Sequence, residues 1–130
     1  MRIIERIRAL NLPQDEFIVI GSGLLDAWSL RSADDIDLVV TNRLFQHLQE
    51  SGKYTTGSRY EESFLAMDDQ EIWLSWGKGN DFEFLKQDAV TVDGIMFVNP
   101  EFLIDHKRER GTAKDLNDIQ LLEQYLHERH

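Results

Sequence analysis

A chain of 130 residues with a net charge of −10 and no cysteine is the size of one domain with its own core, so residues 1–130 are expected to form a single unit. The absence of cysteine excludes a disulfide framework and thiolate metal sites, and the acidity excludes bulk contact with nucleic acid, whose phosphates such a surface repels. Arg2, Glu5, Arg6 and Arg8 interrupt the first ten residues and no later stretch reaches membrane-spanning length, so the cytoplasm is the expected compartment.

Ile3, Ile4, Ile7 and Leu10 recur at helical spacing, which predicts an amphipathic helix ending near Leu12-Pro13. Phe17 to Ile20 is a continuous apolar run with β-branched residues, a buried strand that enters a tight turn at Gly21-Ser22-Gly23. Leu24, Ala27 and Trp28 suggest a short helix. Ile36, Leu38 and Val40 then alternate with Asp35, Asp37 and Val39, the period of two expected of a strand. Asn42 to Glu50 reads as a helix capped by Thr41 or Asn42, with Leu44, Phe45 and Leu48 buried and a stop at Ser51-Gly52.

In the middle of the chain, Phe64 to Met67, Ile72 to Trp76 and Phe82 to Leu85 predict an antiparallel meander, with turns at Asp68-Asp69 and at Gly77-Lys78-Gly79-Asn80. Val90 to Val92 and Ile95 to Val98 flank Asp93-Gly94, a dipeptide favoured in two-residue hairpin turns. Asn99-Pro100 opens a helix that Gly111 closes, and Thr112 with Asp115 forms a capping box for the last one. That helix should bury Leu116, Ile119, Leu122, Tyr125 and Leu126. The order of elements is that of an α/β domain with a mixed sheet flanked by helices.

Chemistry concentrates where a strand, a Gly-Ser turn and a second strand opening with Asp35-Ile36-Asp37 come together. Glycine allows a phosphate to approach the backbone, while amides at the start of a helix and a serine hydroxyl donate to its oxygens, so Gly21 and Ser22 form an anion cradle. Residues two apart on a strand share a face with α-carbons about 6.5–7 Å apart, so Asp35 and Asp37 point into one space. Two carboxylates that close repel unless a divalent cation joins them, and hard oxygen ligands beside phosphate indicate Mg²⁺ or Mn²⁺. A third acid should come from another strand. In Asp81-Phe82-Glu83-Phe84-Leu85 the phenylalanines can face the core while Glu83 takes the other face, with Asp81 as the alternative.

Gly21-Ser22, twelve intervening residues, then Asp35-Ile36-Asp37-Leu38-Val39-Val40 resembles the signature of the nucleotidyltransferase superfamily related to DNA polymerase beta. The resemblance implies a mixed sheet, a nucleoside triphosphate substrate, and transfer of a nucleoside monophosphate to a hydroxyl with release of pyrophosphate. Asp35 and Asp37 match the family's metal ligands, and Glu83 matches its third carboxylate by position. Lys107 to Asp118 is similar to the small bacterial subgroup that includes AbiE-type toxins, which implies a toxin–antitoxin setting as one expectation. The minimal members of that group carry an arginine soon after Gly-Ser, whereas here Leu24-Leu25-Asp26 follows and Arg31 is the nearest arginine.

Other readings stand beside these. Gly21-x-Gly23-x-x-Asp26 lacks the third glycine of a dinucleotide fingerprint, and Val39 and Val40 fall where a calcium loop needs oxygen ligands. Asp35 and Asp37 could be an exposed acidic strand end, and Glu83 a solvated charge on an open sheet face. In the basic cluster His106-Lys107-Arg108, Arg110 and Lys114, Lys107 and Lys114 either contact the triphosphate or leaving pyrophosphate, or the cations complement a helix dipole. Trp28, Trp73 and Trp76 read as core residues, and His47, His127 and His130 carry no metal-ligand spacing. The acceptor is a protein hydroxyl, an RNA end or a small molecule. The rival function is a nucleotidyltransferase-like fold retained for binding a nucleotide or a protein, with no catalysis.

Overall fold

The computed structural model describes residues 2–77 and 79–129, and the expectations for Lys78 and His130 lie outside them. The chain runs α1 (Ile3–Arg8), β1 (Phe17–Ile20), α2 (Gly23–Ala27), β2 (Ile36–Val40), α3 (Asn42–Glu50), β3 (Thr55–Arg59), β4 (Glu62–Met67) and β5 (Gln70–Trp73). It continues with α4 (Phe82–Lys86), β6 (Val90–Val92), β7 (Ile95–Phe97), α5 (Pro100–Arg110) and α6 (Ala113–Glu128). Among the described residues the strands form one mixed sheet of seven, in the order β3-β4-β5-β2-β1-β7-β6.

The fully apolar runs lie at the sheet's centre. Phe17 to Ile20 of β1 is buried at every position, antiparallel to β2 with Ile20 opposite Asp37 and parallel to β7. β2 also pairs in parallel with β5, Asp37 facing Glu71. Such two-sided burial needs continuous hydrophobic strands, which is what β1 supplies. Ile3 and Ile7 of α1, Leu24 and Leu25 of α2, and Leu103 of α5 pack into the same core.

Several boundaries follow from local chemistry. Thr41 caps α3, its hydroxyl accepting from the Leu44 amide. Asn99 caps α5, with Pro100 in the first turn and Gly111 closing it in the left-handed conformation. Thr112 and Asp115 complete the capping box of α6. Asp93 and Gly94 turn between β6 and β7 with φ of 51° and 81°, the left-handed pair that two-residue hairpins require.

The meander is displaced by one strand. Its members are β3, β4 and β5, with Asp68-Asp69 turning between the last two, while residues 82–86 form the short helix α4 and not a strand. Asp81 caps that helix by accepting from the Phe84 amide, and Phe82 and Leu85 are buried three residues apart. The α6 face also differs: Leu116 is exposed, and Asp115 and Asp118 are buried in its place.

Candidate functional site

The turn after β1 and the start of β2 meet at one end of the sheet, and α5 and α6 close over them to leave a cleft of about 630 Å³. Gly21, Ser22, Asp35, Asp37, Lys107 and Lys114 all line it. Gly21 has φ +68°, and a β-carbon there would lie 3.0 Å from an Asp37 carboxylate oxygen. Only glycine fits both the turn and the approach.

Glu83 does not join this group. It is exposed in the first turn of α4, outside the cleft lining, and Asp81 is occupied as that helix's cap. On β5, Glu71 sits directly opposite Asp37 across the parallel pair and lines the cleft. Arg59 of β3 donates to both Glu71 oxygens at 3.2 Å each, and the Trp73 indole donates to one of them at 3.3 Å. The guanidinium lies over the rings of Phe64 and Trp73, themselves stacked at 4.5 Å.

Asp37 is the electrostatic centre of this wall. Burial first, then the charges of Glu71 and Asp35, push its carboxyl up to about 7, against the opposite pull of Arg59 and Arg110. Acids that crowd one another in this way favour a cation between them. Asp35 is exposed at the rim, ahead of Ile36, on the same side of the strand as Asp37.

The opposite wall is basic. Arg31 donates to both oxygens of Asp118 at 2.6 and 2.7 Å, and a second donor on the same nitrogen reaches the Ser22 hydroxyl at 2.8 Å. The Lys107 ammonium, 2% exposed, donates to Asp118 at 3.0 Å and to Ser22 at 3.3 Å. Burial works against the charge of Asp118, but these two donors outweigh it and hold its carboxyl below the usual range. Arg110 pairs with buried Asp115 at 2.7 Å and keeps that carboxyl far below the usual range, with Thr112 adding its own bonds. His106 packs against Trp76 with ring centroids 4.1 Å apart and the planes tilted by 39°, and burial followed by the charge of Arg110 depresses its basicity.

Lys107 is therefore a fixed, buried cation behind Ser22, whereas Lys114 is exposed at the mouth. Arg31 folds back onto Ser22 from nine residues along the chain. Arg31, Lys107, Arg110 and Lys114 face two buried carboxylates, Asp115 and Asp118, so the wall keeps an excess of positive charge. A polyanion fits against it, and cations fit against Asp35, Asp37 and Glu71.

Trp73 and Trp76 line the cleft as well as packing against the core, and Trp28 stacks on Tyr125 at 4.1 Å. No described helix is long and apolar enough to cross a membrane.

No family model matches the chain, and no curated protein matches it. Among solved structures the chain is similar to an antigenic nucleotidyltransferase-like protein from Paracoccidioides brasiliensis, with a TM-score of 0.50 and 18% identity over 91% of this chain and 70% of that one. At that identity the likeness is one of fold: the mixed sheet and its helices form a nucleotidyltransferase-like fold.

Proposed function

We propose that this nucleotidyltransferase-like chain transfers a nucleoside monophosphate from a nucleoside triphosphate to a hydroxyl, with release of pyrophosphate. The observation that carries the reading is the pairing of Asp37 with Glu71 on adjacent parallel strands, directly beside the Gly21-Ser22 turn.

The donor set suits Mg²⁺ or Mn²⁺. Asp35, Asp37 and Glu71 offer hard carboxylate oxygens, and a cation beside Asp37 would offset the burial and the neighbouring acid charges that push its carboxyl up. Among the described residues no three such groups close on one point, and Glu71 is paired with Arg59. Those three acids would hold the ions, which when bound neutralise phosphate charge and make an acceptor hydroxyl more nucleophilic.

The chain's own groups position and neutralise the triphosphate. Gly21 lets it approach the backbone, Ser22 offers its hydroxyl, and Lys107 and Arg31 place two fixed charges behind that hydroxyl. Arg110 and Lys114 at the mouth balance charge that accumulates on the departing pyrophosphate. Because Arg31 and Lys107 are already held by Asp118, they need little reorganisation when a substrate arrives.

The test is transfer of label from α-labelled nucleoside triphosphates to a mixture of cell protein, RNA and small molecules, with Mg²⁺ or Mn²⁺. Transfer that disappears in Asp37→Asn supports the reading. Triphosphate binding without transfer to any acceptor favours a non-catalytic nucleotide-binding module.

A further inference from the structure

The charges of the cleft select a triphosphate but do not name the acceptor, and the rim offers one. Tyr60, at the tip of the hairpin joining β3 to β4, lines the cleft and is 84% exposed. Tyr54 commits its phenol to Gln70 at 3.2 Å, whereas the Tyr60 phenol makes no hydrogen bond among the described residues. The turn that presents it is unusual. Tyr60 and Glu61 have φ of 55° and 64°, a conformation that two-residue hairpins normally give to asparagine or glycine. A bulky residue there carries a backbone cost, of the kind retained where the placement of a side chain matters.

The ring stands near charges from both walls. Arg59 of β3 and Arg110 of α5 line the same cleft as Tyr60, and the same two arginines act on Asp37. The order of strands gives a direction. From Gly21-Ser22 after β1, the floor passes through Asp37 on β2 and Glu71 on β5 toward Arg59 on β3. Phosphates anchored at Ser22 leave the other side of the acid pair for a nucleophile, because the attacking and leaving oxygens stand roughly in line. Tyr60 belongs to that side.

We propose that Tyr60 is a nucleotide acceptor and that the chain nucleotidylates its own hairpin tip; this rests on the transferase reading above. The phenol oxygen forms a bond to the α-phosphorus, and the bond from that phosphorus to the oxygen bridging the α- and β-phosphates breaks. Pyrophosphate leaves with that electron pair, and the phenol proton passes to solvent at the open rim. The product is a tyrosyl nucleoside monophosphate ester, with no change of oxidation state. Arg59, the residue before Tyr60, favours the negative charge that the oxygen carries as it attacks.

The experiment is intact-mass measurement and peptide mapping of the full chain after incubation with each of the four nucleoside triphosphates and Mg²⁺ or Mn²⁺. Wild type should gain the mass of one nucleoside monophosphate with at least one of them, on Tyr60. Tyr60→Phe should gain none while its triphosphate affinity by calorimetry stays within about twofold, since the ring is exposed and makes no hydrogen bond that the substitution removes. Modification of another side chain, or of Tyr60→Phe to the wild-type extent, overturns the proposal. Wild type that transfers label to a different acceptor and leaves Tyr60 bare overturns it too, with the transferase reading intact. A chain that binds no triphosphate removes the transferase reading and this proposal with it.

Discussion

Asp37 and Glu71 are register partners across the parallel pair of β2 and β5, and Asp37 is also the group that any side chain at position 21 would strike. A carboxylate so placed touches both halves of the proposed chemistry, the acid wall and the phosphate turn. Gly21→Ala should test that junction. The added carbon meets Asp37 at 3.0 Å on a backbone with φ +68°, so the variant should lose about 1 kcal/mol or more of stability. Its triphosphate affinity should fall further than a decline in folded fraction explains, as calorimetry on the folded protein would show.

The raised carboxyl of Asp37 makes a prediction about pH in the absence of metal. Its folded value of about 7 lies above the ordinary aspartate value near 4, so the folded state binds the proton more tightly. The contribution of Asp37 to stability is greatest below about pH 4, declines as pH rises toward 7, by roughly 4 kcal/mol, and then levels off. Asp37→Asn removes that slope. In chelator, the variant should melt higher than wild type at pH 8 and approach it at pH 4. Equal pH dependence of the two melting curves contradicts the assignment.

Much of this site was legible in the sequence because its signals are local. The period of two in Ile36, Leu38 and Val40 places Asp35 and Asp37 on one side of a strand, and the Thr112-Asp115 and Asn99-Pro100 caps are short-range hydrogen-bond patterns. The third carboxylate was not legible for a physical reason. Phe82-Glu83-Phe84-Leu85 alternates like a strand, but the buried pair is Phe82 and Leu85, a helical spacing that the Asp81 cap starts. Glu71 stands beside the polar Gln70, so no flanking apolar pair marks it. Its partner Arg59 lies on β3, which has no buried residue to betray a strand. Asp118 shows the same limit: its burial depends on Arg31, 87 residues away in the chain.

The Arg59–Glu71 pair predicts competition between a guanidinium and a divalent cation. Arg59→Met keeps much of the side chain's length over Phe64 and Trp73 but frees Glu71. Mn²⁺ binding without nucleotide, followed by electron paramagnetic resonance, should tighten by roughly three- to tenfold, the scale of an exposed ion pair of about 1 kcal/mol. Weaker Mn²⁺ binding in the variant would falsify the competition.

Removing the anion from the basic wall should be costly. Asp118 is fully buried and holds both Arg31 and Lys107, and the remaining carboxylate near Lys107 is Asp115 at 3.9 Å. Asp118→Asn leaves a buried ammonium undercompensated, so denaturant unfolding should show a loss of about 3–5 kcal/mol. In wild type the depressed carboxyl contributes stability that is present above about pH 4 and is lost as pH falls through its folded value. Unfolding of the variant within about 0.5 kcal/mol of wild type contradicts the role given to Asp118.

The most direct test sets Glu71 against Glu83. Label transfer from α-labelled triphosphates with Mg²⁺ is measured for wild type, Glu71→Gln and Glu83→Gln under one set of conditions. Both substitutions keep side-chain size and remove one charge, and Glu83 is exposed on α4 away from the cleft. Transfer should fall by about a hundredfold or more in Glu71→Gln and stay within about twofold of wild type in Glu83→Gln. Undiminished transfer in Glu71→Gln, or its loss in Glu83→Gln, contradicts the account.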